Sequence, residues 1–185
     1  MSIESNKYTD NEMCGQTYTV WRAGAEHVEF SPLISQWTID SKTMLPKTVQ
    51  EISNMFQGGH SVLVFNGSRE PVSHAAITYV YSDGTVEIGC VVTDINKRNN
   101  GAGTTAIKAV IGLANEMYPN KTIFALANSI SAPIFEKLGA RKMSSEELSD
   151  EVWGPCSICP KIPTQTPNKP FLCCDIPYDL TCIQE

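Results

Sequence analysis

Arg98-Asn99-Asn100-Gly101-Ala102-Gly103 separates two segments of different periodicity. Before it, Thr85 to Thr93 is apolar and β-branched, the pattern of a buried strand. After it, Thr104 to Met117 places Ile107, Val110, Ile111, Ala114 and Met117 on one helical stripe. A glycine-rich turn from strand to helix leaves main-chain N–H groups unpaired at the positive end of the helix, where phosphate binds readily. Glycine lets a ligand approach the backbone closely because no Cβ intervenes. The spacing R-x-x-G-x-G is neither the G-x-x-x-x-G-K-[ST] of a Walker loop nor the dinucleotide G-x-G-x-x-G. It reads as a pyrophosphate loop of a third kind.

Working outward, the chain alternates strand and helix signals. Residues 1–15 are polar and are expected to be loose and flexible. Thr17 to Arg22 alternates as a first strand. Ala25 to Trp37 and Lys47 to Phe56 carry apolar residues three and four apart and predict two helices, with Pro32 dividing the first and Pro46 opening the second. Ser61 to Phe65 is a buried-strand run closed by Asn66-Gly67. Val72 to Tyr81 and Thr85 to Thr93 flank Ser82-Asp83-Gly84, a hairpin signal. Beyond the glycine turn come a strand (Thr122 to Ala127), a short helix (Ala132 to Leu138) stopped by Gly139, and a last strand (Ala140 to Met143). The order β-α-α-β-β-β-α-β-α-β predicts an α/β (α+β) fold with a mixed sheet.

At 185 residues the chain suits one domain with a sizeable core and a small appendage. Its net charge of -6 lacks the basic face that a general nucleic-acid binder needs, so that class is disfavoured. No apolar run reaches membrane-spanning length, so no membrane partner is expected. The first thirty residues lack a basic start followed by an apolar core, and the expectation is a cytoplasmic protein. Near Trp153 the composition shifts: Cys156, Cys159, Cys173, Cys174 and Cys182 crowd the end of the chain among Pro155, Pro160, Pro163, Pro167, Pro170 and Pro177. The expected organisation is therefore a flexible start at 1–15, a domain at 16–150 and a Cys/Pro-rich extension at 151–185.

The element order with R-x-x-G-x-G after the fourth expected strand resembles the GNAT superfamily of acyl-coenzyme A-dependent N-acetyltransferases. A second block, Asn128-Ser-Ile-Ser-Ala-Pro-Ile-Phe-Glu-Lys-Leu-Gly-Ala140, is similar to that family's N-x-x-A-x-x-x-Y-x-K-x-G-F. The resemblance covers about residues 17 to 143 and is strongest from Val86 onward. It implies a mostly antiparallel central sheet with helices on both faces, acetyl-CoA as cosubstrate and an amine as acceptor (a small molecule, a polyamine, or a protein lysine or N-terminus). Homodimerisation is left open.

Carried over residue by residue, the resemblance implies that main-chain groups of Val91, Val92 and Thr93 pair with the pantetheine arm as an added strand. It implies that Arg98, Asn99, Asn100, Gly101, Ala102, Gly103 and Thr104 hold the pyrophosphate. Asn128 and Phe135 would lie along the cofactor. The competing readings are sheet core for Val91 and Val92, a solvated cation for Arg98 and a helix cap for Asn128. Phe135 departs from the family, which usually has Tyr there to protonate the departing thiolate; Phe has no proton to give. Ser129 and Ser131 are nearby alternatives.

Glu87 is the expected catalytic base. It stands eleven residues before Arg98, a spacing similar to that of the acidic base in the family's histone acetyltransferase branch. An attacking amine must lose a proton, and a carboxylate takes it directly or through one water. Burial between Val86 and Ile88 would raise its pKa. A solvent-facing strand position is the competing reading, and His74 and Tyr79 are rival bases or substrate contacts. In the extension, Cys156, Cys159, Cys173 and Cys174 resemble the paired ends of a structural zinc site, completed by Cys174 or Cys182, with free thiols and disulfides as alternatives. Two functions compete: an active N-acetyltransferase, and a non-catalytic acyl-CoA-binding or protein-interaction module on the same fold.

Overall fold

In the computed structural model, residues 7–13, 15–154 and 176–183 are described. The elements are β1 (Lys7–Met13), β2 (Gln16–Ala23), α1 (Ser31–Ser41), α2 (Val49–Gln57), β3 (Ser61–Phe65), β4 (Pro71–Val80), β5 (Val86–Thr93), α3 (Ala102–Met117), β6 (Ile123–Ala127), α4 (Ala132–Lys137), β7 (Arg141–Lys142), α5 (Asp150–Trp153) and β8 (Ile176–Asp179). From β2 to β7 this is the order the sequence predicts. The strands form one eight-stranded sheet, β1-β2-β3-β4-β5-β6-β8-β7. Every neighbouring pair is antiparallel except β5 and β6, which run parallel.

Strand alternation sends side chains to opposite faces of this sheet, and each face is covered by helices. Val62 and Val64 of β3 join Tyr18, Ile77, Val86 and Ile88 beneath the apolar stripe of α3 and Phe135 of α4. Leu63 and Phe65, one residue out of phase, pack with Ile34 and Trp37 of α1 and Ile52 and Phe56 of α2. A third cluster joins Tyr81 and Phe124 to Val152 and Trp153 of α5.

Local signals place the helix starts, with two adjustments. Pro32 opens α1 rather than dividing a longer helix, and a 3-10 turn, Ala25–Phe30, precedes it. Thr48, not Pro46, opens α2: its hydroxyl accepts from Glu51 N (3.2 Å), and the Glu51 carboxylate accepts from Thr48 N (2.8 Å).

Both ends of the chain correct the expected organisation. Lys7–Met13 lies in the stretch expected to be loose, yet pairs with β2, Asp10 opposite Thr19. Its sequence KYTDNEM has no apolar alternation, because an edge strand is recruited by its neighbour's free N–H and C=O groups. Residue 151 does not separate a folded domain from an irregular tail either. Ile176–Asp179 inserts between β6 and β7, with Pro177 opposite Leu126. Pro177 has no N–H to donate, but its carbonyl accepts from Met143 N at 2.9 Å. No helix among the described residues is long and apolar enough to cross a membrane.

Candidate active site at the splay of two strands

The parallel pairing of β5 and β6 is short. It holds Val86 to Ile123, Glu87 to Phe124 and Ile88 to Ala125, and goes no further. β5 continues to Thr93, whereas β6 carries on beside β8. From Gly89 on, the outer edge of β5 has no strand partner among the described residues. The cause lies on the other side of β5. Between the pairs Ala76–Gly89 and His74–Val92, one residue of β4 (Ala75) faces two of β5 (Cys90 and Val91). That is a β-bulge, and Cys90 sits in it with φ of 49°. A bulge bends its strand and swaps the faces beyond it. Val86 and Ile88 pack beneath α3, but Cys90 and Val92 belong to the core under α1 and α2. Val92 is thus a core side chain, while Val91 is half-buried on the α3 side.

The predicted phosphate turn closes the wide end of this splay. Asp94 accepts from Asn96 N (2.9 Å) and starts a 3-10 turn, Ile95–Lys97. Asn99 (φ 66°) and Gly101 (φ 89°) then take left-handed backbone, and α3 begins at Ala102. Gly101 needs its missing Cβ to hold that conformation. Its carbonyl receives both the N–H and the hydroxyl of Thr105 (2.9 and 3.1 Å). Tyr18 donates to the Asn100 carbonyl (2.8 Å), fixing the turn to β2. At Gly103 a Cβ would come within 3.0 Å of Thr93 Oγ1, so glycine lets α3 start against the end of β5. Arg98 folds back, its Nε 3.5 Å from the Thr93 carbonyl. The structure therefore brings Thr93, Arg98, Asn99, Asn100, Gly101, Ala102, Gly103 and Thr104 into one turn. The N–H groups of Ala102, Gly103 and Thr104 lie in the first turn of α3, where no intrahelical acceptor exists.

Glu87 stands at the narrow end, where β5 and β6 part. It is half-buried on the face opposite Val86 and Ile88 and accepts from Tyr81 Oη at 2.5 Å. Burial raises its pKa above the ordinary carboxylate value, against the opposing pull of the Tyr81 bond and of the Lys47 ammonium. The Tyr81 hydroxyl is pushed upward in turn by burial and by the Glu87 charge, so it remains a donor. The Tyr79 ring lies 4.5 Å from that of Tyr81 and is 50% exposed, forming an open aromatic wall beside the carboxylate. Sequence spacing alone does not mark Tyr81 or Lys47 as neighbours of Glu87. The hairpin turn supplied a signal for Tyr81, because it sets the residues on either side of Ser82-Asp83-Gly84 against one another.

Other expected residues have structural positions. Asn128 closes the turn before α4 without being its N-cap, which is Ser131: Oδ1 accepts from Ile130 N and Ser131 N (2.9 and 3.0 Å). Its Nδ2 donates to the Thr43 carbonyl (2.8 Å), so both ends of the amide are engaged. Phe135, expected along the cofactor, is 2% exposed and stacks on Tyr178 with ring centres 6.0 Å apart. It faces the α3-side core because α4 turns its apolar positions inward. Ser131 bonds back to Asn128, while Ser129 is exposed. His74 is wholly buried, and burial lowers its pKa to about 4, which keeps it neutral and excludes it as a solvent-reaching base. Cys156, Cys159, Cys173 and Cys174 lie outside the described residues. Among the described residues no cluster of three or more His, Cys, Asp or Glu forms a metal site.

No protein-family profile matches the sequence, and no curated protein matches it. Solved structures do. Rv2747 from Mycobacterium tuberculosis, in complex with CoA and NLQ, matches with a TM-score of 0.58 at 20% identity, over 77% of this chain and 82% of that one. N-acetylglutamate synthase from Neisseria gonorrhoeae, complexed with coenzyme A and N-acetyl-glutamate, matches with a TM-score of 0.66 at 13% identity over 88% of this chain, which spans only 34% of that one. A GNAT-family acetyltransferase from Bacillus anthracis matches with a TM-score of 0.54 at 20% identity, over 75% and 85%. At identities this low the likeness is one of fold, and the fold this chain carries is that of the GNAT acetyltransferases.

Proposed function

We propose that this protein is an N-acetyltransferase that moves the acetyl group of acetyl-CoA to a primary amine by direct attack. The observation that carries the reading is the junction of the unpaired β5 edge with the glycine turn. An extended chain fits the first, a diphosphate fits the second, and coenzyme A has both in sequence. The neighbours crystallised with CoA support the same ligand.

When bound, acetyl-CoA supplies an acyl group already activated as a thioester. The main chain of Val91 to Thr93 lies along its arm, and a free N–H there polarises the acyl carbonyl. Arg98 and the first N–H groups of α3 hold the diphosphate. The amine nitrogen bonds to the acyl carbon, Glu87 takes its proton directly or through a water, and the C–S bond breaks so that coenzyme A leaves as a thiolate that takes its proton from solvent. A half-buried carboxylate with raised pKa suits that task, since its pKa moves toward the working pH. The Tyr79 face beside it suits an alkylammonium head, which aromatic rings attract.

The test is titration with acetyl-CoA, followed by measurement of thiol release with peptides, polyamines and small amines. Release with at least one amine class is expected. Tight CoA binding with no release from any of them would favour the alternative, a non-catalytic acyl-CoA-binding module. That alternative draws on Phe135, which has no hydroxyl and is sequestered in the core. A second expectation concerns the turn. Gly101→Val forces a branched side chain into left-handed backbone, at a cost of about 1–2 kcal/mol. If the turn relaxes to avoid that strain, CoA affinity falls by about tenfold (about 1.4 kcal/mol). Calorimetric titration with CoA reads the change, and an unaltered affinity removes the turn from the binding site.

A further inference from the structure

His74 reaches from β4 to the bulge of β5, its Nδ1 3.0 Å from the Cys90 carbonyl. A carbonyl only accepts, so Nδ1 carries the proton and the ring is fixed in one tautomer. The other nitrogen, Nε2, is buried and has no hydrogen-bond partner among the described residues. The ring meets Phe56 edge-on, with centres 5.6 Å apart. An apolar residue of this size would avoid both the burial of an imidazole and the orphaned nitrogen. Stability alone therefore does not account for a histidine here. What the imidazole adds is one donor, aimed at the peptide of the one strand residue in the bulge with positive φ.

That peptide joins Cys90 to Val91. It is trans, as are all peptide bonds among the described residues, so its N–H and C=O point in opposite directions. We infer that His74 is a positioning residue: by holding the Cys90 carbonyl on the β4 side, it turns the Val91 N–H toward the side that β6 has left. The bond to the carbonyl also polarises the peptide and strengthens that N–H as a donor. Ser73, the neighbouring buried polar residue of β4, braces the same segment through its hydroxyl, which donates to the Val92 carbonyl at 3.0 Å. The inference rests on the acetyltransferase reading, in which Val91 N–H faces the acyl carbonyl. His74 touches neither substrate and acts through the strand.

Three measurements on the full chain test it. Imidazole nitrogen NMR of the wild type should show the Nδ1–H tautomer for His74; the Nε2–H tautomer overturns the clamp. His74→Leu keeps the bulk and removes the donor. It should lower kcat by tenfold to a hundredfold, the scale of losing one preorganised oxyanion donor, while CoA affinity stays within about twofold. The Val91 amide resonance should shift in the same variant. His74→Asn places an amide nitrogen close to where Nδ1 lies and should restore kcat to within about threefold of the wild type. Unchanged kcat in His74→Leu, or equal loss in both variants, overturns the positioning role. An inactive wild type would overturn the acetyltransferase reading instead, and the tautomer and the Val91 shift would still decide the clamp.

Discussion

Replacing Glu87 by Gln is expected to lower kcat/KM for the amine by about a hundredfold to ten-thousandfold, the range of a lost general base. Coenzyme A affinity should not move, because the glycine turn lies at the other end of the splay. The pH dependence carries more information than the rate. A base works when ionised, so wild-type activity should rise with pH through the Glu87 pKa, and burial places that limb above the ordinary carboxylate range. Tyr81→Phe removes a hydrogen bond that favours the ionised form, so its acid limb should move to still higher pH. In Glu87→Gln the limb should vanish.

Stability separates this from unfolding. A carboxyl whose folded pKa is raised binds its proton more tightly in the native state than in the unfolded one. Its contribution is complete below the ordinary carboxylate pKa and is lost as pH rises through the raised value. Gln stays neutral throughout, so at neutral pH the Glu87→Gln protein should melt no lower than the wild type. A slow variant with an intact Tm assigns the loss to chemistry. A variant with unchanged rate and unchanged pH profile would remove Glu87 from the mechanism.

The parts of the site that were legible in the sequence are those whose geometry is local. The glycine-rich turn from Arg98 to Gly103, the hairpin around Ser82-Asp83-Gly84 and the stripe of α3 are each specified within a few residues. They put Glu87 and the glycine turn at opposite ends of one strand, as the structure does. The splay itself was not legible from spacing, because it depends on how β4 and β5 register. Nothing in Gly89-Cys90-Val91 marks Cys90 as left-handed, and no glycine sits at the bulge residue. The hairpin places Tyr81 near Glu87, but the hydrogen bond between them depends on the same strand register. Asn128 shows a different limit of spacing. Its motif was visible, but the structure gives its amide to Thr43 and to the turn after β6.

The chain end carries the other large effect. Removing residues 176–183 is expected to abolish the native fold, although the Pro-rich composition before them reads as an irregular extension. β8 contributes four residue pairs to β6 and two to β7, so without it β7 loses the one strand neighbour it has among the described residues. Leu180 and Ile183 enter the α3-side core, at 0% and 8% exposure, and Tyr178 is sealed at 1%. Ile123 is held at both ends, its carbonyl accepting from Leu180 N (2.8 Å) and its N–H donating to Thr181 Oγ1 (3.1 Å). Leu180→Ala alone should cost about 2–5 kcal/mol, a large share of the roughly 5–15 kcal/mol that holds a domain. Denaturant midpoints check the value; a loss below about 1 kcal/mol would mean that the last strand is docked rather than built in. The consequence reaches the site. β6 is one wall of the splay, β5 holds it over three residues only, and β8 supports its other side. Leu180→Ala should therefore weaken coenzyme A binding at temperatures where the protein is still folded, through a wall that is no longer held rather than a contact that is lost.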